Sequence, residues 1–246
     1  MQNQQIEKKT TAGKSSRRGF WAVIVVIVVL IPITIGISWY LGDRKYYIAS
    51  VLIMIYSMIP FFLSFEHRKP QPRELMTLAG MCAIGVVSRA IFIAVPHFKP
   101  MGAVVMITAM AFGPQAGFMT GALSMLISDI IFGQGPWTPW QMFSFGMIGF
   151  ASGLMAKAGI LSEKRPVVNA VIGFLMILCF AGPILDTSTV FTMMQMPGLD
   201  VAAIYLAGIP VNAIHGSAVA LGMLLLTKPM MEKLDRIKLK YGMMES

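Results

Sequence analysis

The sequence predicts an all-α polytopic membrane protein, a helical bundle of about eight transmembrane helices, and three observations carry that expectation. Of 246 residues, 56% are hydrophobic and only 13% charged, whereas a soluble domain carries roughly 25% charged residues. The apolar residues come in blocks. Residues 20–41 and 46–65 are both uncharged and close to the ~20 residues that cross the hydrocarbon core. Basic residues gather in alternate connections between the blocks, as topology demands of a membrane protein. A greasy soluble helix would keep a polar stripe, and these blocks keep none.

The elements follow in chain order. Residues 1–19 hold Lys8, Lys9, Lys14, Arg17 and Arg18 in a polar stretch and read as a basic cytoplasmic tail. The apolar run after it exceeds the roughly 7–15 residues of a signal-peptide core, so it reads as a retained anchor. Spans are expected at 20–41, 46–65, 74–95, 100–112, 116–131, 139–157, 166–186 and 201–227. The segment 66–73, rich in charge and proline, reads as a linker between a two-helix N-terminal unit (20–65) and a six-helix unit (74–227). Residues 228–246 read as a second basic cytoplasmic tail. With both termini inside, 16 of the 20 Lys and Arg residues fall on the cytoplasmic side, which is the bias of a bacterial plasma-membrane protein.

Several function classes drop out. The formal charge of +9 sits at span ends rather than on one face, so no nucleic-acid partner is expected. Cys82 and Cys179 lie inside apolar spans and have neither disulfide nor metal spacing, and no cofactor or metal is expected. No G-x-x-x-x-G-K-[ST], H-E-x-x-H or G-x-S-x-G occurs. His215 and Ser217, the nearest approach to a nucleophile–base pair, are two apart and do not share a helix face. An enzyme is not expected.

What remains is ligand binding. Polar groups within membrane segments are costly and face the bundle interior or an aqueous cavity. Arg89, Asp129 and Asp186 lie toward the outer ends of their spans, Asn212 and His215 near mid-depth of the last, and Lys99 in an outer connection. The connection 132–140, FGQGPWTPW, is uncharged and stiffened by two prolines. Its Trp137 and Trp140 could present aromatic faces to a flat ligand, with the amides of Gln134 and Gln141 fixing orientation. The spacings Ala79-x-x-x-Ala83, Gly117-x-x-x-Gly121 and Gly149-x-x-x-Gly153 suit close helix contact.

From Glu74 to the end of the last span, the chain resembles the substrate-binding S component of an energy-coupling factor (ECF) vitamin transporter. The likeness rests on the six-span unit, on Ala79 and Ala83 in its first helix, and on the segment AFGPQAGFMTGALSMLISDIIFGQGPWTPWQMFSFGMIGFASGL. The resemblance implies a subunit that takes a vitamin from outside. Its partners would be a transmembrane coupling (T) component, two cytoplasmic ATPases and the surrounding lipid. It assigns Ala79 and Ala83 to the surface that meets the coupling protein, and the connections 96–100 and 132–139 to the substrate side. The 132–140 segment is most similar to the cobalamin-type branch, so cobalamin is the expected ligand. Riboflavin, thiamine and biotin are the alternatives within the family, and an intramembrane enzyme or a scaffold are those outside it.

Overall fold

A computed structural model describes residues 29–30, 33–34, 46–193 and 197–242. The described residues are all helical or in turns and short coil. The expected tail 1–19 and most of the expected span 20–41 lie outside them. The chain divides by contacts into two units, 1–69 and 70–246. The first contains α1 (Tyr46–His67), uncharged up to Phe65, with Pro60 inside it.

The second unit is built from α2 (Pro72–Ile91), α3 (Met101–Phe112), α4 (Pro114–Phe132), α5 (Thr138–Lys157), a rod of α6 (Pro166–Leu175), a π turn (Met176–Ala181) and α7 (Gly182–Met193), and α8 (Val201–Tyr241). Five helices among the described residues, α1 included, are long and apolar enough to cross a membrane. At 12 residues α3 is about 18 Å long, well short of the ~30 Å hydrocarbon core. It is the axis of the unit. Every residue from Met101 to Ala109 is buried, and α2, α4, α5 and α8 pack around it. A helix wrapped in protein need not reach either bilayer surface.

Local chemistry explains the breaks. Gly113, at φ 89°, turns the chain between α3 and α4, a conformation that costs glycine little. Pro114 then occupies the first turn of α4, where its missing N–H would be unpaired anyway. The tightest contact in the unit joins α4 to α5. A Cβ on Gly117 would lie 2.6 Å from the Gly149 carbonyl oxygen, and one on Gly153 would lie 2.5 Å from the Pro114 nitrogen. The two glycine spacings therefore mark one seam, where backbone meets backbone.

Several boundaries differ from the sequence expectation. The span expected at 74–95 ends at Ile91; Pro96 has no N–H to offer the Phe92 carbonyl, and its ring would crowd that oxygen in a continued helix. The linker expected over 66–73 shrinks to 68–71, since α1 runs to His67 and α2 opens at Pro72. The span expected at 166–186 continues to Met193. The basic tail expected from 228 is helical to Tyr241. Leu234, only 4% exposed, is buried in the core, and its apolar anchorage holds charged neighbours in helix. Cys82 is buried, as expected of a small residue in a span, but Cys179 in the π turn is exposed.

Candidate functional site

Polar side chains converge at the end of the unit where α2 and α4 finish and α5 begins. Arg89, in the last turn of α2, donates through Nη1 to Asp129 Oδ1 at 3.0 Å and to Ser128 Oγ at 2.9 Å, both on α4. Its guanidinium also lies 5.5 Å from the centre of the Phe132 ring, a favourable placement for a cation. Asp129 is fully buried. With the Gln141 amide turned so that its nitrogen faces α4, that nitrogen lies 3.2 Å from each Asp129 oxygen. One carboxylate thus ties together α2, α4 and α5. A buried charge needs such partners to be tolerated at all.

A second polar pair faces it from α7 and α8. Asn212 Nδ2 donates to Asp186 Oδ2 at 2.9 Å. Gly182 and Gly208 make room, because a Cβ at Gly182 would clash with the Asn212 amide and one at Gly208 with the Asp186 carboxylate. The π turn ends immediately before Gly182, and such widened turns recur at functional sites. Nearby, the Thr187 hydroxyl and the Tyr205 hydroxyl are 2.7 Å apart.

Between the two pairs lies a cavity of about 190 Å³, lined by Arg89, Gln141, Asp186, Asn212 and His215, by His97 and Lys99 of the α2–α3 connection, and by Met101, Met125, Phe145 and Leu185 among others. His215 stacks on Phe145, ring centres 5.7 Å apart, and its Nε2 is buried without a hydrogen-bond partner. An unpaired buried ring nitrogen is costly, and a ligand in the cavity would relieve that cost. Burial draws the Lys99 ammonium below the ordinary lysine range, and the Arg89 charge adds to the shift while Asp129 opposes it. The cavity therefore joins apolar walls to separated donors and acceptors. Ser217, two residues after His215, is exposed and donates its hydroxyl to the Ala213 carbonyl.

Residues 71–232 match the family model of the ECF-type riboflavin transporter S component. The chain belongs to that family. No solved structure matches it significantly. The chain is thus a substrate-binding subunit of an ECF transporter, in a family of transporter components rather than enzymes.

In this S component, Arg89, Lys99, Gln141, Asp186, Asn212 and His215 all line this cavity. Asp129 stands behind Arg89 as its counter-ion. Trp140 is buried and packs against Phe191 at 5.7 Å, away from the lining. Gln134 and Trp137 are exposed, Trp137 at 42%, and neither lines the cavity. The Trp137 ring folds back over Gly135, so proline stiffening holds it against its own loop. Sequence reasoning missed His97 and Phe145. His97 sits at φ 61°, an uncommon backbone for a residue with a Cβ, within the connection that the family likeness assigned to the substrate side. Phe145 carried no signal, being one apolar residue among many.

Ala79 and Ala83 lie on the exposed side of α2. Met76, Ile84, Val87 and Ile91 are exposed on the same helix, and a Cβ on Gly80 would meet nothing within 4 Å. The helix therefore presents a shallow face of small residues edged by large apolar ones.

Proposed function

We propose that this S component captures riboflavin in the α2/α4/α5/α7/α8 cavity and delivers it to a coupling protein that docks on α2. The observation that carries the vitamin is the family match over residues 71–232. The cavity supports it. A flavin is flat, uncharged, apolar across its rings and polar along one edge. Met101, Met125, Leu185 and the stacked Phe145–His215 pair offer apolar faces, while Asp186, Asn212, Lys99 and Gln141 offer acceptors and donors. At about 190 Å³ the cavity lies below the roughly 300–1,000 Å³ of small-molecule pockets. A flavin would fill it and extend through its open side, whereas a corrinoid would overfill it severalfold. The cobalamin expectation draws no support from the family match.

Titrating purified protein with riboflavin, cobalamin, thiamine and biotin tests the assignment. Riboflavin fluorescence should quench on binding at or below micromolar concentration. Tight binding of another vitamin, with none of riboflavin, would overturn the choice. Within that assay, His215→Ala should weaken binding by about 1–3 kcal/mol, roughly fivefold or more, as loss of a buried anchor does. Trp137→Ala should leave affinity within about twofold, as surface substitutions do.

The docking reading rests on the open face of α2, where small residues would let a partner helix approach closely. Ala79→Leu with Ala83→Leu should abolish ATP-driven uptake by the assembled transporter while riboflavin affinity of the isolated subunit stays unchanged. Lost affinity would instead place these alanines in internal packing. The basic bias of the connections supports a cavity that faces outward, with the ATPases on the opposite side.

A further inference from the structure

The last turns of α8 are not used by the cavity or by the α2 face. From Lys228 to Tyr241 the helix carries five basic residues (Lys228, Lys233, Arg236, Lys238 and Lys240) against Glu232 and Asp235. Asp235 is taken up by Lys238 at 3.1 Å, and Lys238 also lies 5.4 Å from the centre of the Phe112 ring. The other four cations are exposed. The helix end is fixed in place: Arg73, at the start of α2, donates to the Tyr241 carbonyl at 3.2 Å, and its guanidinium lies 5.6 Å from the Tyr241 ring. Lys240 approaches the same ring at 5.5 Å. Exposed Leu239 and Tyr241 stand among these charges, Leu239 at 66%.

We propose that this segment of α8, with Arg73, is a docking surface for anionic phospholipid headgroups. Three observations select lipid over a soluble acidic partner. The segment continues without a break from a membrane-spanning helix. At 41 residues α8 is about 62 Å long, so its end passes the hydrocarbon core and meets the headgroup layer. Exposed Leu239 and Tyr241 beside exposed cations give the mixed character of an interfacial surface, where apolar groups reach acyl chains and ammonium groups reach phosphate. The Arg73 contact holds the backbone at the end of the helix, so the positions from which these cations extend are set before any lipid arrives.

Electron paramagnetic resonance of protein reconstituted in phosphatidylcholine, with trace spin-labelled phosphatidylglycerol or phosphatidylcholine, reports the lipid held at the protein surface. Wild type should hold the anionic lipid about fivefold more strongly, and raised salt should reduce the preference. Arg236→Gln with Lys240→Gln, both at exposed positions, should bring the preference close to unity while riboflavin binding shows the fold intact. Lys157→Gln with Lys164→Gln, at the end of α5 and in the α5–α6 connection, should leave it unchanged. An unaltered preference in the first variant would overturn the proposal. So would equal loss in the second, which would mean a diffuse field, or loss of coupling-protein binding in lipid-free detergent with lipid preference retained, which would mean a protein partner.

Discussion

Gly149→Leu is expected to prevent α5 from seating on α4 and to leave little folded protein. A Cβ at Gly149 would overlap the Gly117 carbonyl group. The atoms in the way are backbone, so neither a rotamer change nor a small side-chain shift relieves the clash. Overpacking in ordinary cores costs about 1–3 kcal/mol, and a clash against a helix backbone belongs above that range. Gly117→Ala should cost less, because one methyl would meet Ala109 and the Gly149 carbonyl, but it should still lower the midpoint of thermal unfolding. Gly80→Leu is the control, since its position opens onto free space. Size-exclusion profiles and thermal melts in detergent check all three. A Gly149→Leu protein that elutes and melts like wild type would mean that the seam can open without loss. A stable Gly80→Leu protein that fails to dock would in turn extend the α2 face beyond Ala79 and Ala83.

That seam was readable from residue spacing alone. In lipid, small residues four apart have few uses other than close approach, and Gly117, Gly121, Gly149 and Gly153 all meet opposing backbone or side-chain atoms. Five of the expected spans were readable for a similar reason, since long apolar runs have one common solution. The end of α8 was not. Its charge density outweighed the apolar contacts of Met230, Met231 and Leu234, and a pattern that reads as tail turned out to be helix. At the site, Asn212 and His215 stood out because a polar residue in an apolar span needs a reason. Phe145 could not stand out, because an aromatic in such a span needs none. Trp137 drew attention for being aromatic, proline-flanked and uncharged, but those properties describe a stiff exposed loop as well as a ligand contact, and only the path of the chain over Gly135 separates the two. His97 lies in irregular backbone, where no periodicity says which way a side chain points.

Breaking the Arg89–Asp129 pair should have the second large effect, and the shape of that effect distinguishes a structural charge from a ligand contact. Asp129 is fully buried and Arg89 is 15% exposed, so Arg89→Met would leave a carboxylate in a low-dielectric interior without its hydrogen-bonded cation. Removing one partner of a buried pair costs about 3–5 kcal/mol, which in a protein of this size lowers the melting midpoint by roughly 10 °C. The double variant Arg89→Met with Asp129→Asn should recover much of the loss. The new amide carries no charge and still accepts a hydrogen bond from Gln141, and neutral replacements of buried pairs often restore stability. Riboflavin affinity read in the same proteins completes the test. If Arg89 serves to hold α2, α4 and α5 in register, affinity should return together with the melting midpoint in the double variant. If Arg89 also grips the ligand through its remaining N–H groups, the double variant will be stable yet still bind weakly. Our expectation is the first outcome, because the Nη1 group that reaches Asp129 also reaches Ser128, and the guanidinium face is covered by Phe132. A double variant as unstable as the single one would show that the interaction supplies more than charge neutralisation, and that the three helices depend on the ion pair itself.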